Sequence, residues 1–154
     1  MRIWMLRTGA FLSLVCWGLA VYASPDELKQ LVKAGKYSEA FDLGQKIAIE
    51  WEGDPQFDYN YGMAALESGH PQEAAIAFDR ILMIYPNQHR VRLEFARAKF
   101  ILEEYPGSRR EFNRVLEADP PANVKARIQA FLEEIEKREQ SKRFQYSLTI
   151  NLDS

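Results

Sequence analysis

The side chains in this 154-residue chain first to be weighed for acid–base or metal chemistry are Cys16, His70, His89 and the Asp and Glu residues. A single Cys excludes a disulfide framework and a Cys-cluster metal centre, and two His do not make a His-rich one. His70 precedes Pro71 and His89 follows Pro86-Asn87, turn contexts that read as solvated loop positions rather than bases or ligands. The carboxylates fall among Lys and Arg on helical stretches, as solvated faces do. There is no G-x-x-x-x-G-K-S/T loop to cradle phosphate and no G-x-S-x-G elbow to hold a nucleophile. No nucleophile and base share a register that would bring them together. The expectation is a chain that catalyses nothing, holds no metal and needs no cofactor. A formal charge of −2 also gives no general case for nucleic-acid binding.

Recognition chemistry is better supplied. A composition of 47% hydrophobic and 27% charged residues is that of a folded chain. Charge is uneven: residues 87–116 sum to +3 through Arg90, Arg92, Arg97, Lys99, Arg109, Arg110 and Arg114, while the flanking stretches are acidic. Such a cluster is ordinarily a solvated helix face. Its sharper meaning is a docking patch for an acidic partner or anionic headgroups.

The elements that must position these groups repeat. One 34-residue step relates Phe78 to Phe112, Pro86 to Pro120, Ile81 to Val115, Gly62 to Ala96, and Ala74 to Ser108. Projected back by the same step, Gly35 falls under Gly69, Ala40 under Ala74 and Ile47 under Ile81, although Gly44 stands where the later repeats carry Phe. Apolar stripes at spacings of three and four support helices throughout: Leu28, Leu31 and Val32; Ala40, Leu43 and Ile47; Tyr61, Ala65 and Leu66; Ala74, Phe78, Ile81 and Leu82; Leu93, Ala96 and Phe100; and Phe112, Val115 and Leu116. Tyr105-Pro106-Gly107 reads as a turn. Small residues where helices cross, an aromatic plug and a terminal Pro resemble the tetratricopeptide repeat. The expected fold is all-α, an α-solenoid of helical hairpins. After Pro120-Pro121, the stripe Val124, Ile128, Phe131, Leu132 and Ile135 predicts a capping helix with a polar outer face.

A solenoid presents the first helix of each hairpin on a concave surface. In this register that surface takes Tyr59, Asn60, Met63 and Glu67 from one repeat and Arg90, Glu94 and Arg97 from the next. Tyr and Arg anchor interfaces and Met adapts to irregular partners. The plainer alternative is that Tyr59 and Met63 pack and the Arg residues are ordinary surface.

The two ends of the chain read differently. Arg2 and Arg7 precede a charge-free apolar run from Thr8 to Ala23, with small Ala23 at its close. This is the layout of a secretory signal peptide cleaved after Ala23. The run is shorter than the ~20 residues that span a bilayer core. Cys16 lies inside it, between Val15 and Trp17, and belongs to the apolar segment. Removing residues 1–23 takes away the single Cys and two Arg but no acid, so the remainder is more acidic than the whole. The expected organisation is a signal peptide over 1–23, a repeat domain with its capping helix over 24–140, and a linker with the start of a β-strand over 141–154. The strand is expected because Phe144, Tyr146, Leu148, Ile150 and Leu152 alternate with polar residues, a period of two. It also matches a strand of an outer-membrane barrel in length.

Three stretches, GDPQFDYNYGMAALESG (53–69), VRLEFARAKFILEEYPGSRREFNRVL (91–116) and PPANVKARIQAFLEEIEKRE (120–139), resemble the N-terminal periplasmic part of the surface lipoprotein assembly modifier family. That resemblance implies a tetratricopeptide domain preceding an outer-membrane β-barrel that moves or displays client proteins. The repeats would engage a client protein or the outer-membrane assembly machinery from the periplasm. The barrel would lie beyond this chain, which reaches Ser154 where a first barrel strand would finish. The alternative is a free-standing periplasmic scaffold whose residues 144–153 add a strand to a partner's sheet.

Overall fold

In the computed structural model, residues 24–152 are described, the side chains only as far as Gln145. They form seven helices: α1 (Pro25–Lys33), α2 (Tyr37–Trp51), α3 (Pro55–Glu67), α4 (Pro71–Ile84), α5 (His89–Ile101), α6 (Tyr105–Glu117) and α7 (Ala122–Leu152). Residues 1–23, where a signal peptide is expected, lie outside the described residues.

Local chemistry sets the helix starts. Ser24 Oγ accepts from the Glu27 N–H at 3.3 Å, and Pro25 opens α1 with Asp26 and Glu27 in its first turn. Asp54 Oδ1 accepts from the N–H groups of Gln56 and Phe57 at 3.0 and 2.8 Å, and Pro55 opens α3. Pro71 also opens α4, there without a side-chain cap from His70.

The repeat seen in the sequence is present in the backbone. The start of α3 at Pro55 maps onto the start of α5 at His89 by the 34-residue step, and Pro71 of α4 maps onto Tyr105 of α6. The first helix of each hairpin ends alike. The N–H of Lys36 donates to Leu31 O at 3.0 Å, that of His70 to Ala65 O at 2.8 Å, and that of Glu104 to Lys99 O at 2.9 Å. These closures recur at the same step and are the Schellman ending. Each needs a left-handed residue, supplied by Gly35 (φ 72°), Gly69 (φ 87°) and, in the third hairpin, the non-glycine Glu103 (φ 59°). The turn expected at Tyr105-Pro106-Gly107 therefore falls earlier, at Leu102–Glu104. Tyr105, Pro106 and Gly107 form the first turn of α6, where the missing N–H of proline leaves no helical hydrogen bond unmade.

The helices form antiparallel hairpins α1/α2, α3/α4 and α5/α6, stacked so that α3 touches α1 and α5 as well as α4. The architecture is all-helical, in keeping with an α-solenoid. One core cluster runs from Leu28 through Phe41, Phe57, Tyr61 and Phe78 to Phe95. A second joins Leu93, Ala96, Tyr105 and Phe112 to Ile128 and Ile135 of α7. Gly62 marks a close crossing: a Cβ there would lie 2.7 Å from Phe78 Cε1. In the first hairpin the volumes are exchanged. Buried Leu28 holds the register position of Gly62, Gly44 holds that of Phe78, and a Cβ on Gly44 would meet the Tyr61 ring at 2.4 Å.

α7 caps the second cluster, with Phe131 stacked on Phe112 at 5.0 Å and edge-on to Phe100 at 5.1 Å. It also corrects an expectation. Residues 144–152 continue the helix to Leu152, and no strand is present among the described residues. An isolated strand leaves its backbone groups unpaired, whereas a helix satisfies its own. Period-two patterning does not impose a strand where the described residues offer no second strand. No helix among the described residues is long and apolar enough to cross a membrane.

Candidate functional site

The expected recognition residues lie on α3 and α5, which are neighbours, and side chains join the two helices into one ridge. The Arg90 guanidinium sits over the Tyr59 ring, 5.3 Å from its centroid. Further along α5, Arg97 bridges the hairpins, donating to Glu67 Oε1 at 3.0 Å and to Glu94 Oε2 at 2.5 Å. These contacts leave different degrees of access. Arg90 and Glu67 are exposed; Tyr59, Met63 and Arg97 are half-buried; Asn60 and Glu94 are buried. Asn60 turns its amide to its own helix, donating to Gln56 O at 2.7 Å. Met63 packs against the core, as does Tyr59, whose ring lies 6.3 Å from that of Phe78. Burial pushes the Tyr59 hydroxyl above its ordinary pKa, and nearby Arg90 partly opposes the shift.

The cationic stretch is largely consumed inside the molecule. Arg92 is buried and pairs with Glu111 while also donating to Pro86 O. Arg97 is held as described, Lys99 pairs with Glu104 at 2.7 Å, Arg109 with Glu139 at 2.5 Å, and Arg114 with Glu111 at 3.2 Å. It is therefore neither a continuous solvated face nor a continuous docking patch. Arg90 keeps an exposed guanidinium whose contact is an aromatic ring rather than a carboxylate.

Several residues carry more than their sequence context suggested. Asp58, 1% exposed, accepts from Arg80 and from the Gly53 N–H at 3.2 Å, so it ties the α2–α3 turn to α4. Glu111 is buried as well. These are not solvated carboxylates, and the only advance signal was an acid placed within an otherwise apolar helical stripe. His70 also departs from its expected solvated loop. It is half-buried, stacked on Phe41 with centroids 3.9 Å apart, and its Nδ1 lies 3.1 Å from Ser68 Oγ. His89 is exposed at the start of α5.

Two surface clefts flank the ridge. One, of about 440 Å³, lies where α3, the end of α4 and the start of α5 meet, lined by Pro55, Gln56, Tyr59, Ile81, Tyr85 and Arg90 among others. The second, also about 440 Å³, runs between α5 and α7 past Phe100, Phe131, Arg127 and Arg138. Among the described residues no cluster of His, Cys, Asp and Glu is placed to hold a metal ion. The arrangement offers shape, aromatic surface and cations, the materials of binding. No known family model matches the chain, and no curated protein matches it in sequence.

Proposed function

We propose that this chain is an exported interaction module: a tetratricopeptide-type solenoid that works on the periplasmic side of an outer-membrane protein-export or surface-display factor, as its resemblance to the surface lipoprotein assembly modifier family implies. Its partners are client proteins on their way to the cell surface, or the assembly machinery that receives them. It performs no chemistry of its own.

The observation that carries this reading is the recurrence of one helix ending at Lys36, His70 and Glu104, in step with the 34-residue sequence period. A stack of equivalent hairpins builds an extended face with few internal demands, which is how solenoids serve recognition. Tyr59, Arg90 and Arg97 on the ridge are of residue types that anchor interfaces. This reading rests on the repeats and the leader-like N-terminus, and takes nothing from a terminal strand.

Two measurements test it. A phosphatase active only outside the cytoplasm, fused after residue 152, should be active when residues 1–23 are present and silent when they are deleted. A non-acylated surface lipoprotein from the same bacterium should bind the purified chain saturably in calorimetry. A cytoplasmic fusion, or no binding across the set of such lipoproteins, overturns the reading.

A further inference from the structure

The cleft where α3, α4 and α5 meet sets one exposed cation beside apolar walls. Of the seven cations between residues 87 and 116, Arg92, Arg97, Lys99, Arg109 and Arg114 are each held by a carboxylate of this chain. The other two, Arg90 and Arg110, are exposed; of these Arg90 lines the cleft, its guanidinium over the Tyr59 ring. The nearest acid on its own helix, Glu94, is already engaged by Arg97. Beside Arg90 the walls are apolar: Ile81, Val91 and the half-exposed Tyr85, at the end of an exposed run Met83-Ile84-Tyr85. Two exposed amides, Gln56 and Gln88, line the same cleft and can each both donate to and accept from a peptide backbone.

We infer that this cleft takes an extended peptide segment of the partner in which an aromatic or large aliphatic side chain lies next to an Asp or Glu. The apolar side chain occupies the space between Ile81, Tyr85 and Val91, and the carboxylate meets Arg90. Charge complementarity selects the acid, because Arg90 is the cation in this stretch that faces solvent at a cavity without a carboxylate of its own. Its position over Tyr59 pre-orients the planar fork for a bidentate carboxylate, with less side-chain freedom to lose on binding. A cleft of about 440 Å³ admits one large side chain and the backbone on either side of it. This inference rests on the interaction-module reading and names the kind of segment that module takes.

The test uses the full mature chain and end-blocked octapeptides, acetylated and amidated so that no terminal charge contributes. One carries Phe next to Glu and a second carries Phe next to Gln, with fluorescence anisotropy as readout. The Glu peptide should bind, more weakly at high salt, and both the Gln peptide and the Arg90→Ala variant should lose about tenfold or more in affinity. Tyr85→Ala should weaken binding by a similar factor, and circular dichroism should show unchanged helicity in both variants. Equal binding of the Glu and Gln peptides, or full affinity in Arg90→Ala, overturns the inference. So does binding confined to phosphatidylglycerol vesicles. A client lipoprotein that still binds Arg90→Glu with full affinity leaves the module reading standing and removes this cleft from it. Absence of both client and peptide binding removes both.

Discussion

Arg80 on α4 holds Asp58 on α3 with both ends of its fork: Nε lies 3.2 and 3.1 Å from the two carboxylate oxygens and Nη2 lies 2.7 Å from Oδ1. Asp58 is buried, and its second oxygen also receives the Gly53 N–H. Hydrogen bonding to this carboxylate raises the Arg80 pKa further above its ordinary value. One step along the register the pairing reverses. Position 92 carries Arg in place of Asp58, and its partner Glu111 comes from α6. Each of these two hairpins is thus closed by an ion pair with a buried carboxylate, the signs exchanged between them.

Removing one member of such a pair leaves a buried charge without compensation. Arg80→Ala should destabilise the fold by about 3 kcal/mol or more, read as a lower denaturation midpoint at unchanged slope. Replacing both residues, with Asp58→Leu and Arg80→Met, should recover most of that loss, because well-packed apolar groups serve as well as a desolvated pair. A double variant as unstable as Arg80→Ala would show that the Gly53 contact, and not the ion pair, is what matters.

The approach of Phe78 to Gly62 makes that glycine obligatory. Gly62→Leu should cost about 3 kcal/mol, because the Phe78 ring is packed on all sides and cannot yield. Combining it with Phe78→Ala should give a loss smaller than the sum of the two single changes, since the first hairpin already uses the large–small combination as Leu28 and Gly44. Strict additivity in a double-mutant cycle would show that the two positions do not share space.

Glu103 occupies the left-handed position that Gly35 and Gly69 fill in the earlier hairpins. Glu103→Gly should raise the melting temperature, even though the exposed contact with Lys142 is lost, because relief of the left-handed backbone outweighs a solvated ion pair. Glu103→Val should lower it, because a β-branched side chain is worst at positive φ. Thermal unfolding of the two variants against the parent reads both signs.

Three exposed ion pairs in the last third of the chain should make stability fall in acid. Lys142 holds the Glu103 carboxyl below the usual carboxylate range, Lys125 does the same for Asp119, and Arg138 for Glu134. A carboxyl whose folded pKa is depressed adds stability above its unfolded value of about 4, and loses it as pH falls through the folded value. The melting temperature should therefore decline from about pH 5 to about pH 3. A variant carrying Glu103→Gln, Asp119→Asn and Glu134→Gln should decline less steeply. High salt should shrink the difference, because all three pairs are exposed.

Much of the fold is legible in the order of residues. Pro55, Pro71 and Pro86, the glycines at 35 and 69, and the matched pairs Phe78/Phe112 and Gly62/Ala96 place helices, turns and a 34-residue step. These depend on local backbone rules and on which residues can stop a helix. The ridge residues Tyr59, Glu67, Arg90 and Arg97 are also within reach, since a known register puts them on adjacent first helices. Legibility fails where a side chain's partner lies in another element. Asp58 and Arg80 are 22 residues apart in sequence, Arg92 and Glu111 are 19 apart, and no spacing rule within one helix links either pair. His70 escapes for the same reason, because Phe41 reaches it from α2.

The helical class, the repeat step, the crossing glycine and the capping stripe from Val124 to Ile135 follow from the residue order alone, since each reflects periodicity or what a single residue does to its own backbone. Which charges are buried and which stay outside depends on how the helices pack. Packing leaves Arg90, of the seven cations in its stretch, as the one that lines the cleft at Tyr59. Pairing, too, lies outside the local pattern: residues 144–152 alternate as a strand does, yet with no second strand among the described residues they continue α7. The physical reason is common to both. Burial and β-pairing are properties of the space between elements, and a single chain segment does not contain its neighbour.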